Sequence, residues 1–247
     1  MRVGTRSRLD SRGDCWPHRW RQLLGVALGI TAVALVCGSI IFLGTLPSVD
    51  DAEARVAGRL RGGQDTGLPL PDSISAAVVA VEDGRFYVHH GIDARALLRA
   101  SWVSLTGGPR QGGDTITEQL AKILYVGNDH GVRRRLATMV LAVKLEAHYT
   151  KEQILEMYLN AVYFGDGQWG VTQASQTYFG KPPAALDWAE ASLLAGLPQA
   201  PSSYDPIHHF TLARARQRDV LAAMVHDQML TRAQADRAYA ELTTLRR

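Results

Sequence analysis

From Gln22 to Val49 the chain carries no charged residue, and the stretch 23–46 is almost wholly apolar. In hydrocarbon every backbone N–H and C=O must be satisfied within the segment, which leaves a single segment of this kind one form, the α-helix. At 1.5 Å per residue the run is long enough to cross a bilayer core of roughly 30 Å. Arg2, Arg6, Arg8, Arg12, Arg19 and Arg21 precede it, whereas Asp50, Asp51 and Glu53 follow. That arginine excess places residues 1–22 in the cytoplasm and the rest outside, as a single-pass protein of the cell (inner) membrane. A signal peptide is the rival, since Ala52-Glu53-Ala54 is a formal cleavage site. The apolar run is about twice a signal core of roughly 7–15 residues, which favours an uncleaved anchor.

The formal net charge of the 247-residue chain is +3. Residues 1–22 hold six arginines against Asp10 and Asp14, so the remainder sums to −1. The basic character belongs to the tail, which argues against a nucleic-acid partner for the part beyond the span. Cys15 and Cys37 lie in the tail and the span, so residues 47–247 contain no thiol for a disulfide or metal site. Their stability must come from a buried core.

Residues 47–71, with Pro47, Gly58, Gly62, Gly63, Gly67, Pro69 and Pro71, read as a linker, and 72–247 as one folded domain. Helical periodicity dominates that domain and strand signals are weak. Helices are expected over Ala94–Leu105, with Leu97, Leu98 and Val103 inward, and over Thr115–Tyr125. Another is expected over Arg133–His148, with Leu136, Met139, Val140 and Val143 inward. Thr150 with Gln153, and Asp187 with Glu190, form capping-box starts for two more. Arg214–Met229 and Thr231–Leu245 close the chain.

Chemistry concentrates in a few segments. An acidic pair, Glu82-Asp83, ends an apolar run containing Val78, Val79 and Val81 and precedes Phe86, His89 and Gly91. A carboxylate in such surroundings is poorly solvated, which raises its pKa toward that of a general base. The plain alternative is a helix end with solvated acids and a core Phe and His. In Gly112 to Lys122, glycines precede a helix start, whose N–H groups favour an anion, and Lys122 lies two turns beyond Thr115 on the same face. Arg133-Arg134-Arg135 is a basic run that would otherwise be a solvated helix face. No transpeptidase S-x-x-K with K-T-G and no histidine metal spacing is present.

Taken together these segments resemble the family 51 glycosyltransferases, the peptidoglycan transglycosylases. Glu82, Asp83, Phe86, His89 and Gly91 meet every fixed position of E-D-x-x-F-x-x-H-x-G. Gly112 to Lys122 is similar to G-G-S-T-I-T-Q-Q-L-x-K, with Asp114 and Glu118 in place of Ser and Gln. Arg133 to Thr138 is similar to R-K-x-x-E, with Thr138 where the family has its second glutamate and His130 where it has an arginine. Lys151 to Asn160 matches K-x-x-I-L-E-x-Y-L-N. The resemblance covers roughly Asp72 to Pro206.

The resemblance implies a mainly α, lysozyme-like transglycosylase domain behind one N-terminal transmembrane helix. It implies a peptidoglycan glycosyltransferase that polymerises lipid II into β-1,4-linked glycan, releasing undecaprenyl diphosphate. Glu82 is the implied catalytic base. Asp83, Phe86, Arg99, Thr115, Glu118, Gln119, Lys122, Arg134 and Arg135 are the implied substrate-binding residues. The implied partners are lipid II, the growing glycan strand, the membrane and other cell-wall synthesis proteins. The resemblance implies no cofactor, although a divalent cation such as Mg²⁺ could bridge Asp114 or Glu118 to a phosphate. Two other readings compete: a degenerate, weakly active or inactive scaffold, and a glycoside hydrolase. The hydrolase would need a second carboxylate and leaves the basic cluster unexplained.

Overall fold

The computed structural model describes residues 18–60, 70–107, 113–127, 131–242 and 245. The tail 1–17, most of the glycine-rich stretch after Leu60, and Gly108, Pro109, Gly112 and His130 lie outside the described residues. The chain forms two units, 1–46 and 47–247. The first holds α1 (His18–Thr45), which contains a helical stretch, Val26–Thr45, long and apolar enough to cross a membrane.

The second unit is helical, with no strand among the described residues. Its elements are α2 (Ala52–Arg59), α3 (Asp72–Glu82), α4 (Ala94–Leu105), α5 (Ile116–Ala121), α6 (Val132–His148) and α7 (Lys151–Ala161). They continue with α8 (Val171–Phe179), α9 (Trp188–Gly196), α10 (Phe210–His226) and α11 (Arg232–Glu241). α9 is mostly apolar, and every residue from Ala189 to Gly196 is buried, Glu190 in a pair with Lys181, which makes it a core helix rather than a surface one. α3 and α10 both pack on it and on each other, with Ile74, Val78, Leu193, Leu194 and Val220 all without exposed surface. α5 packs on α6 and α7 beside this trio.

The capping boxes expected at Thr150 and Asp187 form, and two more start α5 at Thr115–Glu118 and α11 at Thr231–Gln234. Each satisfies two of the backbone N–H groups that a helix start leaves orphaned.

Three expectations differ. The stretch 47–71 contains α2, whose Val56 is buried, as is Leu60 just beyond it. Its prolines lie outside a short helix that includes Gly58 and has a partner, α7. The helix expected over Thr115–Tyr125 leaves α geometry after Ala121 and finishes as a π-helical turn, Lys122–Val126, stopped by Gly127 at φ +67°. The inward faces of α4 and α6 differ in part: Leu98 is 71% exposed, Leu136 49% and Val143 45%, whereas Leu97, Val103, Met139 and Val140 are half-buried. α6 instead buries Thr138, Leu141, Ala142 and Leu145. Counting large apolar residues picks the wrong side because the closest approach runs through small ones. Gly91, at φ +88°, lies so near that a Cβ there would stand 2.8 Å from the Ala142 carbonyl carbon.

Leu194→Ala should cost about 2–5 kcal/mol of stability, as for other fully buried leucines, and Leu98→Ala less than about 0.5 kcal/mol. Thermal unfolding of the detergent-solubilised full chain checks both, and a large loss for Leu98→Ala would contradict its exposure.

Candidate active site

Glu82 is the last residue of α3, at the point where the helix leaves the core. Its Oε2 accepts a 2.8 Å hydrogen bond from Gln119 Nε2, and Tyr158 Oη donates to Gln119 Oε1 at 3.0 Å. With Gln119 Oε1 accepting from the hydroxyl, the NH₂ group of Gln119 faces the carboxylate. Glu82 Oε1 is shielded and has no protein partner. Burial pushes the Glu82 carboxyl above its ordinary value, the Asp83 charge adds to this, and Gln119 and Arg216 oppose it.

Asp83 does different work. Its Oδ2 meets His89 Nε2 at 2.8 Å and accepts from the Ile116 backbone N–H at 3.1 Å. The carboxylate therefore joins the end of α3 to the start of α5, an orphan donor at a helix N-terminus. Thr115 donates its hydroxyl to Gly91 O at 2.7 Å and caps α5. Phe86 has no exposed surface and lies 4.4 Å under the Lys151 ammonium, which pairs with Glu146 at 2.6 Å. Asp83, Phe86, Thr115 and Glu118, expected at the substrate, are buried, yet all but Phe86 line a cavity of the site. Phe86 lines none of the three cavities around Glu82, so its ring is packing.

Those cavities share walls. A cavity of about 640 Å³ brings together Glu82, Gln119, Lys122, Arg134 and, from elsewhere, Arg59 and Arg216. Tyr163 and Trp169, ring centroids 4.8 Å apart, form its aromatic side. A second, about 270 Å³, is lined by Lys122, Arg134, Arg135, Glu118 and Thr138. A third, about 360 Å³, places Arg99 with Glu82 and Thr115. Cations from α2, α4, α6, α10 and the turn after α5 thus line cavities that share walls, and Glu82 lines two of the three.

Asp114 lines all three cavities. Its carboxylate binds the Lys122 ammonium and stands 3.6 Å from Arg135 Nη1. Glu118, the other acidic departure, is the reciprocal half of the α5 capping box, with Oε2 accepting from Thr115 N at 2.9 Å. Burial raises its pKa, so its negative charge is disfavoured. Thr138 is 2% exposed and its Oγ1 has no hydrogen-bond partner.

Sequence reasoning missed Arg216 and Arg59. Arg216 comes from α10 and passes α9 at Gly196, where a Cβ would stand 2.8 Å from its Cγ. Its Nε is buried without a partner. No local signal ties it to Glu82; the link exists only once α10 packs on α3. Asp166, Asp205 and His208 each bring a ligand atom within 4.8 Å of the others, a grouping that also escaped notice, and none of them lines the three cavities.

A carboxyl with a raised folded pKa contributes stability that is complete below its unfolded value of about 4.5 and is lost as pH rises through the folded value. Glu82→Gln should therefore be more stable than wild type at pH 8, with the gap closing toward pH 4.5. Melting temperatures across that range test this, and a pH-independent gap would show that burial does not govern the group.

A family model described as Transglycosylase matches residues 66–225. Penicillin-binding protein 1F of Bacillus subtilis is 44% identical over 160 residues, covering 64% of this chain and 22% of that protein. A protein of Cupriavidus necator named as a transglycosylase is 41% identical over 177 residues, covering 72% of this chain and 77% of its own length. Penicillin-binding protein 1A of Escherichia coli is 39% identical over 173 residues, covering 70% of this chain and 20% of that protein. The chain spans about a fifth of the length of these two penicillin-binding relatives and most of the other. With the matched region reaching from before α3 well into α10 and enclosing Glu82, the chain belongs to the transglycosylase family.

Proposed function

We propose that this protein is a peptidoglycan glycosyltransferase that polymerises lipid II. The observation that carries the reading is one cavity holding a desolvated, oriented carboxylate, Glu82, together with Lys122 and Arg134. Glu82 takes the proton from the acceptor 4-hydroxyl. The resulting oxygen attacks the donor anomeric carbon, forming a β-1,4 bond with inversion as the bond to undecaprenyl diphosphate breaks. Negative charge grows on the departing diphosphate, and Lys122, Arg134, Arg135 and Arg99 stabilise it electrostatically. Burial raises the Glu82 pKa, as suits a general base, and the Gln119 hydrogen bond and the Arg216 charge moderate that rise. Gln119 aims the carboxylate, and the Tyr163–Trp169 wall gives a sugar ring an apolar face to lie against.

The apolar helix α1 supports an anchored protein whose N-terminus is cytoplasmic and whose second unit faces outward, where lipid tails hold both substrates in the bilayer plane. Other cell-wall synthesis proteins are natural partners of such a chain. A divalent cation fits this site poorly: the Asp114 carboxylate already binds Lys122 and faces Arg135, and Glu118 spends an oxygen on its cap. The cations themselves supply the charge that a metal would.

A second reading is an inactive scaffold. Thr138 in place of an acid, with its hydroxyl unpartnered, favours it.

Purified full-length protein with labelled lipid II, followed by separation of glycan products, tests the reading. Wild type should form polymer, and Glu82→Gln should be slower by about 10²–10⁴-fold, the usual loss for a positioned base. Binding of lipid II without polymer would establish the scaffold instead.

Asp114 neutralises part of the charge that a diphosphate needs. Asp114→Asn should tighten binding of inorganic pyrophosphate about fivefold, the scale of a partly exposed ion pair. Calorimetric titration checks it, and unchanged or weaker binding would mean that Asp114 positions the cations rather than competing for them.

A further inference from the structure

We propose that Arg59, at the C-terminal end of α2, is a substrate-contacting cation of the 640 Å³ cavity, supplied by the segment that joins the apolar helix to the domain. The inference rests on the diphosphate reading of that cavity.

α2 is docked rather than draped. Val56 and Leu60 are buried, and Leu60 Cδ2 packs where a Cβ on Gly170 would stand 3.1 Å away, next to the Trp169 wall. Arg55 and Arg59 lie one turn apart, on one face of the helix. That face meets the π-helical turn Lys122–Val126. Arg55 Nη1 donates to Leu124 O at 3.4 Å, and its guanidinium sits 4.7 Å over the Tyr125 ring. Arg59 Nη2 donates to Ile123 O. Tyr125 Oη closes the contact, donating to Asp51 Oδ1 at 3.0 Å. Carbonyls at a helix C-terminus lack partners within the helix and carry its negative pole, so two arginines are well placed there.

The two arginines then part company. Arg55 lines none of the three cavities around Glu82, whereas Arg59 lines the one that holds Glu82, Lys122 and Arg134. A guanidinium has five N–H donors in a planar fork, and the bond to Ile123 O takes one. The remaining geometry suits the oxygens of a diphosphate, which arginine grips in bidentate fashion. The bond to Ile123 O also fixes where that fork stands relative to the neighbouring residue Lys122, so the two cations keep a set spacing. α2 thus performs two tasks. Arg55 holds the turn that presents Lys122, and Arg59 holds the turn and faces the substrate.

The test uses the full chain in detergent micelles and inorganic pyrophosphate as the probe, titrated calorimetrically into wild type, Arg59→Gln, Arg59→Lys, Arg55→Gln and Lys122→Ala, with melting temperatures for each. Arg59→Gln should weaken binding about tenfold, and Arg59→Lys should recover part of it, as expected for loss of a charge-assisted contact. Arg55→Gln should change binding by less than about twofold while lowering the melting temperature at least as much as Arg59→Gln, since it breaks only the clamp. In turnover, Arg59→Gln should raise KM for lipid II more than it lowers kcat, which ties the effect to the lipid-borne diphosphate as well as to the free ion. Binding by Arg59→Gln equal to wild type, with Lys122→Ala weakened, would overturn the inference and leave the diphosphate cavity standing. Equal weakening by Arg55→Gln and Arg59→Gln would reduce Arg59 to a clamp and overturn it too. Wild type and Lys122→Ala binding alike, or wild type not binding, would remove the diphosphate reading and this inference with it.

Discussion

The site depends on one carboxylate that ties two helices together. Asp83 Oδ2 joins His89 to the first N–H of α5, and so ties the end of α3 to the start of the helix that carries Gln119 and leads into Lys122. Both partners are buried, and a hydrogen bond to a charged group in low dielectric is strong when made and costly when broken. Glu82 is adjacent in sequence, so its position is set by the backbone that Asp83 pins. The acidic pair therefore divides its labour: one member fixes the frame, and its neighbour faces the cavity.

Electrostatics around Glu82 are a balance rather than a single push. Burial raises its pKa, and the Gln119 hydrogen bond and the half-buried Arg216 pull the other way. A carboxyl left wholly to burial would stay protonated and could not accept a proton, whereas a fully compensated one would be too weak a base. The cationic wall shows the same moderation, because Asp114 binds Lys122 and faces Arg135. Where relatives in the resembling family carry serine at that place, this chain carries a charge, and its site is less positive than its count of cations suggests.

Much of this was legible in the sequence because it is local. Capping boxes at Thr150 and Asp187 depend on residues three apart, and α4 falls on the residues expected. The motif of Glu82 to Gly91 does not by itself separate Glu82 and Asp83, which line a cavity, from Phe86, which lines none. What escaped the sequence is non-local or depends on small residues. Arg216 and Arg59 reach the cavity only through the packing of α10 and α2. The inward face of α6 is set by a backbone contact at Gly91, which no count of apolar side chains reveals. The π-helical turn after Ala121 has no compositional signature in Lys122–Val126, whereas the Thr115–Glu118 capping box is as local as those at Thr150 and Asp187 and could have been read from the sequence.

The trio of α3, α9 and α10 has a consequence for how such a chain comes into being. α3 is synthesised early, yet Ile74, Ala77 and Val78 find their cover only when Trp188–Gly196 and Phe210–His226 have been made. Contacts between segments so distant in the chain form slowly, and until they form the apolar face of α3 is open to wrong partners. Glu82 ends that helix, and Arg216 arrives with α10 itself. A nascent chain, or one cut short before α10, therefore lacks both the burial and the countercharge that tune its carboxylate. Competence is the last property the polypeptide acquires, and it arrives together with the core.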